Sequence, residues 1–307
     1  MIDISNLTKK LGKKNIISDL SFSATRQECI GLFGVDGLAK TTLFKMIAGS
    51  TPPSSGHIKI LGLSTQTHGR QTCQAVGYQP IEFNHPTLSV GSLLNFIATL
   101  RGFRGADKRK RVDKAVARLE LSPLLKHSIN TLPPGLKRNV AIAQATLHDP
   151  AVLLLDEPYE GLASDQHSTI RALIQSLTEE MTVIIASRDC EALADTCTRG
   201  LIVGDGRLLA DTSMPDLLRS SRHFQAVTLR SESALDLLAL AVLPGVAGIE
   251  EDHHRPDTVT VLAMPGYSIF PSISALIANR HWQVHSLKLE PGRLNGLVHH
   301  MSRVVPL

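Results

Sequence analysis

The run Gly34-Val35-Asp36-Gly37-Leu38-Ala39-Lys40-Thr41-Thr42 sets small residues, a lysine and two hydroxyls in a spacing that suits a phosphate chain. Successive backbone N–H groups at the amino end of a helix point at an anion, and the helix dipole favours it. A lysine there neutralises the outer phosphates and the next hydroxyl ligates Mg²⁺. Gly34, Asp36, Gly37, Leu38, Ala39, Lys40, Thr41 and Thr42 are therefore the candidate phosphate-binding set. The pattern asks for glycine before the lysine, and Ala39 stands there. Its Cβ crowds the phosphates if the loop needs unusual backbone angles. Asp36 sets a carboxylate beside the same phosphates, which is unfavourable unless its side chain turns to solvent or bonds locally.

A second constellation lies far along the chain. Ala151-Val152-Leu153-Leu154-Leu155 is apolar on both faces and ends in Asp156-Glu157. Such runs belong to parallel sheets covered by helices, and an aspartate at the tip of one completes a Mg²⁺ site begun by Thr41. The elements that must position these groups follow from the pattern. Glu28 to Phe33 reads as a buried strand, Gly34 to Ala39 as a loop, and Lys40 to Gly49 as a helix closed by glycine. A turn cluster at Thr51 to Gly56 leads to a strand at His57 to Leu61. The middle, from about Pro86 to Leu125, is expected to be helical. It carries the basic run Arg101 to Arg111, either a solvated helix start or a contact for an anionic surface. Thr182 to Ser187 gives another buried strand, and alternation fades near Ser220-Ser221-Arg222. The two expected domains are residues 1–220, with a helical subdomain at about 87–148, and residues 224–307. The second is a small α+β unit with strands near Gln225–Arg230, Val259–Leu262 and Val284–Leu289.

Composition bounds the rest. With 307 residues, 43% of them hydrophobic and 20% charged, the chain can bury a sizeable core. Aromatic content of 4% and a net charge of +4 argue against nucleic acid as a partner. Cys29, Cys73, Cys190 and Cys197 lack metal-ligand spacing and are expected to be reduced. The pairs His253-His254 and His299-His300 have no further ligands at metal-site spacing. The chain moves from Met1 straight into Ile2-Asp3-Ile4, so no leader is expected, and no apolar run reaches the roughly 18 residues of a membrane span.

The ordered motifs resemble the ATP-binding cassette (ABC) ATPases of ABC transporters. The likeness runs through the phosphate loop, Val76-Gly77-Tyr78-Gln79-Pro80, Leu132 to Leu147, Leu153 to Pro158, Gly161-Leu162 and Val183 to Asp189. The tail around His281 to Pro291 looks like the small domain on many subunits of the ABC-2 export class. The resemblance implies an α/β P-loop NTPase fold with an inserted helical subdomain and a small α+β domain after it. It implies ATP and Mg²⁺ as ligands, Thr41 and Asp156 as metal ligands, and Glu157 as the catalytic base. It also implies a membrane-spanning ABC-2 permease and a second cassette as partners, at the cytoplasmic face of a membrane. That second cassette is either a copy of this chain or an intact relative.

Measured against that family, five positions have changed. Leu11 stands where an aromatic stacks on adenine, and Ile81 where a glutamine senses Mg²⁺, with Gln79 two residues early. Leu132-Pro133-Pro134-Gly135 replaces Leu-Ser-Gly-Gly, deleting two amide donors and a hydroxyl, although proline still suits a helix start. Ala163 replaces an aspartate, and Arg188 a histidine that contacts the last phosphate. Arginine donates hydrogen bonds but neither accepts them nor shuttles protons at neutral pH. The expectation is an ATP-binding export subunit with weak hydrolysis; the alternative is an inactive cassette kept as scaffold or regulator.

Overall fold

The computed structural model describes residues 1–83, 88–231, 235–252 and 255–304. Pro86, expected to open the helical middle, and the pair His253-His254 lie outside them. In chain order come β1 (Ile2–Leu11), β2 (Lys14–Ala24), β3 (Cys29–Phe33), α1 (Gly37–Ile47), β4 (Ser55–Ile60), β5 (Leu63–Ser64), α2 (Gly69–Ala75) and β6 (Val76–Gln79). The helical stretch holds α3 (Val90–Leu100), α4 (Gly105–Arg118) and α5 (Pro134–Thr146), with two short 3₁₀ turns between α4 and α5. Then follow β7 (Val152–Asp156), α6 (Ser164–Thr178), β8 (Thr182–Ala186), α7 (Cys190–Ala194), β9 (Arg199–Gly204), β10 (Arg207–Ser213) and α8 (Met214–Arg219). The chain continues with β11 (Phe224–Ser231), α9 (Leu237–Ala241), β12 (Val246–Glu251), β13 (Thr258–Ala263), α10 (Phe270–Arg280), β14 (Val284–Pro291) and α11 (Leu294–Val304).

The chain divides into two compact units, one of Met1–Thr212 together with the chain from Met301, the other of Ser213–His300. In the first, a sheet of order β10-β9-β3-β8-β7-β6 carries the chemistry. Strands β9, β3, β8, β7 and β6 run parallel, with Ile30 level with Ile184 and Leu154 level with both Ile184 and Tyr78. Every residue of β3, β7 and β8 is buried, as unbroken apolar runs require. Because all these strands point the same way, the loop before α1 and the ends of β7 and β8 converge at one edge. Ligands of open α/β sheets bind at the carboxyl ends of such strands. A second sheet, β2-β1-β4-β5, shares a core with it through Ile4, Leu20, Phe44, Ile58 and Leu154.

The structure corrects the expected start of the first helix. It begins at Gly37, not Lys40, so Gly37, Leu38 and Ala39 are helical rather than loop. Asp36 caps it, its Oδ1 accepting from the Leu38 amide at 2.8 Å and the Ala39 amide at 3.3 Å. Aspartate is among the strongest N-caps, and alanine favours a helix over glycine by about 1 kcal/mol. The Ala39 methyl packs in the apolar core, 2% exposed.

Helix α4 begins inside the basic run, and much of its charge is neutralised. Arg111 pairs with Asp107 and Asp149 and lies over the Phe103 ring, while Lys114 reaches Asp149 and Arg118 reaches Glu180. In the second unit a four-stranded antiparallel sheet of order β12-β13-β11-β14 packs Val227, Leu229, Val261 and Ile273 into its own core. Strand β12 was not expected from the sequence. The four cysteines are free thiols. Among the described residues no helix is long and apolar enough to cross a membrane.

Candidate functional site

The site forms where α1 faces the carboxyl ends of β7 and β8. Gly34 leaves β3 so close to the neighbouring chain that a Cβ there would stand 2.4 Å from the Val203 carbonyl oxygen. Only glycine fits, and the chain can turn into α1. Lys40 lies one turn into the helix with 2% of its surface exposed. Its Nζ donates to the Ser187 carbonyl at 2.9 Å and sits 3.6 Å from Glu157 Oε1. Burial lowers the Lys40 pKa from its ordinary value, and the Glu157 charge opposes that shift.

Thr41 Oγ1 donates to Asp156 Oδ2 at 2.8 Å. These are the hard oxygen donors that Mg²⁺ takes, one from α1 and one from the tip of β7, so the residues present fit that ion. Tyr78 also donates to Asp156 Oδ2, at 3.3 Å, and its own pKa is raised by burial and by that charge. Desolvation raises the Asp156 pKa, with the Thr41 hydrogen bond pulling the other way. A carboxylate whose pKa is raised costs stability when ionised, and the cost disappears as pH falls and the group protonates. Asp156→Asn is therefore expected to be more stable than the wild type at pH 7. The difference should vanish near pH 4, about where an ordinary aspartate titrates. Urea melts at the two pH values check this; a less stable variant at pH 7 would mean that pairing with Lys40 outweighs burial.

Glu157 follows in a left-handed backbone conformation, φ 51°, its amide donating to the Ala186 carbonyl at 2.8 Å. Its carboxylate accepts from Ser187 Oγ at 3.2 Å and from the Arg188 amide at 3.0 Å. The Arg188 side chain is mostly exposed, with Nε 3.9 Å from Glu157 Oε1. Its guanidinium rests against Gly37, where an added Cβ would meet Nη2 at 3.7 Å. The structure thus brings Lys40, Thr41, Asp156 and Glu157 together, with Asp36 and Gly37 opening the same helix and Ala39 packed in the core. Leu38 points outward, 52% exposed, while Thr42 is buried.

Other positions stand apart or change character. Ile81 lines a cleft of about 270 Å³ with Phe83, Pro134 and Lys137. Helix α5 starts at Pro134 with Pro133 as its cap, and no side-chain hydrogen bond closes that end. Leu11 ends β1 about half exposed. Two contributors, Tyr78 and Ser187, carry no signal as site residues in the sequence beyond lying in strand-end segments. Among the described residues no cluster of three or more His, Cys, Asp or Glu side chains could hold a metal ion.

A lysine and hydroxyl opening a helix, set against two carboxylates at the tip of a buried parallel strand, define a P-loop nucleotide-binding cassette. Residues 17–160 match the ABC transporter family model. The chain is 32% identical over 219 residues to the linearmycin resistance ATP-binding protein LnrL of Bacillus subtilis, covering 71% of this chain and 70% of that one. It therefore belongs to the ABC transporter family. It is also 29% identical over 224 residues to YbhF of Escherichia coli, a probable multidrug ABC transporter ATP-binding protein. That alignment covers 73% of this chain and 39% of YbhF. The fold matches the dimeric structure of MJ0796, a bacterial ABC transporter cassette, with a TM-score of 0.63 at 24% identity, over 70% of this chain and 99% of that one.

Proposed function

We propose that this chain is the ATP-binding subunit of an ABC-2-type export complex, one that binds Mg-ATP and hydrolyses it slowly. The observation that carries the reading is the convergence of Lys40, Thr41, Asp156 and Glu157 at one sheet edge. Lys40 and the first-turn amides of α1 would hold the phosphates, and Thr41 and Asp156 would hold Mg²⁺. The ion supplies charge neutralisation and orientation when bound. Glu157, held by Ser187 and the Arg188 amide, would polarise the attacking water. The cassette would close against a second one, a copy or an intact relative, and pass that closure to a membrane-spanning permease at the cytoplasmic face. Export is supported by the resistance and multidrug roles in the names of LnrL and YbhF.

Slow turnover is supported by Pro133 and Pro134 at the start of α5, by Ile81 turned toward that helix, and by Ala163 and Arg188. One lost transition-state donor costs about 10²–10³ in rate. Calorimetric titration of the full chain is expected to show Mg-ATP binding in the micromolar range. Steady-state turnover should lie at least about 10²-fold below that of a cassette with every motif intact. Ordinary turnover dependent on Glu157 would defeat the slow-hydrolysis part. A second reading, an inactive cassette acting as scaffold or regulator, draws on the intramolecular partners that Lys40 already has. Folded chain that gives no binding heat would favour it.

A further inference from the structure

The first-turn amides of a helix are the groups a phosphate needs, and in α1 two of them are already engaged by a side chain. Asp36 Oδ1 takes the Leu38 and Ala39 amides, and the Lys40 amide lies 3.5 Å from the Asp36 carbonyl. Lys40 Nζ is drawn inward to Ser187 and Glu157. A carboxylate that accepts two amides at a helix start satisfies the same donors and the same dipole as a phosphate oxygen would. The Ala39 methyl, buried in the core, helps hold the wound turn that presents those amides to Asp36.

We propose that Asp36 is a tethered competitor for the nucleotide's phosphates and sets the affinity of the site. This inference rests on the proposed function, with α1 as the nucleotide-binding element. An entering phosphate chain must displace the Asp36 carboxylate from the Leu38 and Ala39 amides, and the negative charge it displaces stays close by. The Arg188 guanidinium against Gly37 is the nearby cation that lowers the cost of having both anions there. Asp36 is thus a residue that tunes affinity without itself touching the reacting atoms.

The charge and the cap can be separated by substitution. Asp36→Asn keeps a capping oxygen of similar strength and removes the charge, whereas Asp36→Ala removes both. Full-length wild type, the two variants and Lys40→Ala would each be titrated with Mg-ATP by calorimetry and melted without ligand. Affinity is expected to rise about tenfold or more in Asp36→Ala and by a smaller factor in Asp36→Asn. The melting temperature should fall by roughly 2–4 °C in Asp36→Ala and stay near wild type in Asp36→Asn. Opposite movements of affinity and stability are the signature, because a purely structural cap would lose both together. If Asp36→Ala fails to fold, Asp36→Asn still carries the test. Unchanged or weaker binding in the variants, beside Lys40-dependent binding in the wild type, would overturn the competitor and leave the nucleotide site standing. No binding by any folded form would remove the nucleotide site, and the competitor with it.

Discussion

Lys40→Ala is expected to lower Mg-ATP affinity by more than about 100-fold and to make the free protein less stable as well. The first effect follows from removing a cation that would contact two phosphates in a nearly dry site, since charge-assisted hydrogen bonds are worth about twice neutral ones. The second follows from what Lys40 does without ligand. Its Nζ stands beside the buried Glu157 carboxylate and on the Ser187 carbonyl, with Asp156 contributing to the same field. Removing one partner of a buried ion pair costs up to about 3–5 kcal/mol, and the loss here is smaller because Glu157 keeps the Ser187 hydroxyl, the Arg188 amide and the Arg188 guanidinium. Lys40→Met keeps most of the aliphatic stem and isolates the charge, so it should share both losses. Calorimetry with thermal melts of the same samples reads both. Undiminished Mg-ATP binding in a folded Lys40→Ala protein would take α1 out of the nucleotide site.

Gly77→Ala should be as damaging without touching the site's chemistry. Gly77 lies buried in β6, and a Cβ there would stand 2.1 Å from the Ala145 carbonyl oxygen and 3.0 Å from Pro150 Cγ. The obstacle is backbone of α5, so relief requires moving the helix off the sheet. The expected cost exceeds about 3 kcal/mol, at the upper end of overpacking effects. Gly62→Ala is the matching control, because a Cβ there meets nothing within 4 Å and only its φ of +80° is strained. That change should cost about 1–2 kcal/mol. Denaturant midpoints of the two variants measure the contrast, and equal midpoints would show that α5 yields more easily than its packing indicates.

Much of this was legible in the sequence where one physical signal dominates. β3, β7 and β8 are unbroken apolar runs because they are covered on both faces. The lysine, threonine and paired carboxylates stand at their ends, and so the metal and phosphate candidates could be placed together. β2 was harder to see, since register shifts against β1 break its alternation. β12 mixes Gly248 with Glu250 and Glu251, and is a strand by virtue of pairing with β13. The start of α1 moved by three residues because a capping aspartate and an alanine outweigh the loop preference of Gly37. Tyr78 and Ser187 join the site through contacts across strand ends, far apart in sequence, which no local pattern encodes. The five departures read against the family pattern rest on the resemblance alone, because nothing in Ile81 or Ala163 by itself marks either as a departure.

The left-handed backbone at Glu157 bears on what its carboxylate costs the fold. Any residue with a Cβ costs about 1–2 kcal/mol in that conformation, and glycine costs nothing. Glu157→Gly would relieve that strain and, in the same step, remove the carboxylate that stands 3.6 Å from Lys40 Nζ. The second carboxylate is thus held in place against the preference of its own backbone, and a gain in stability at this position would come with the loss of the group set against Lys40.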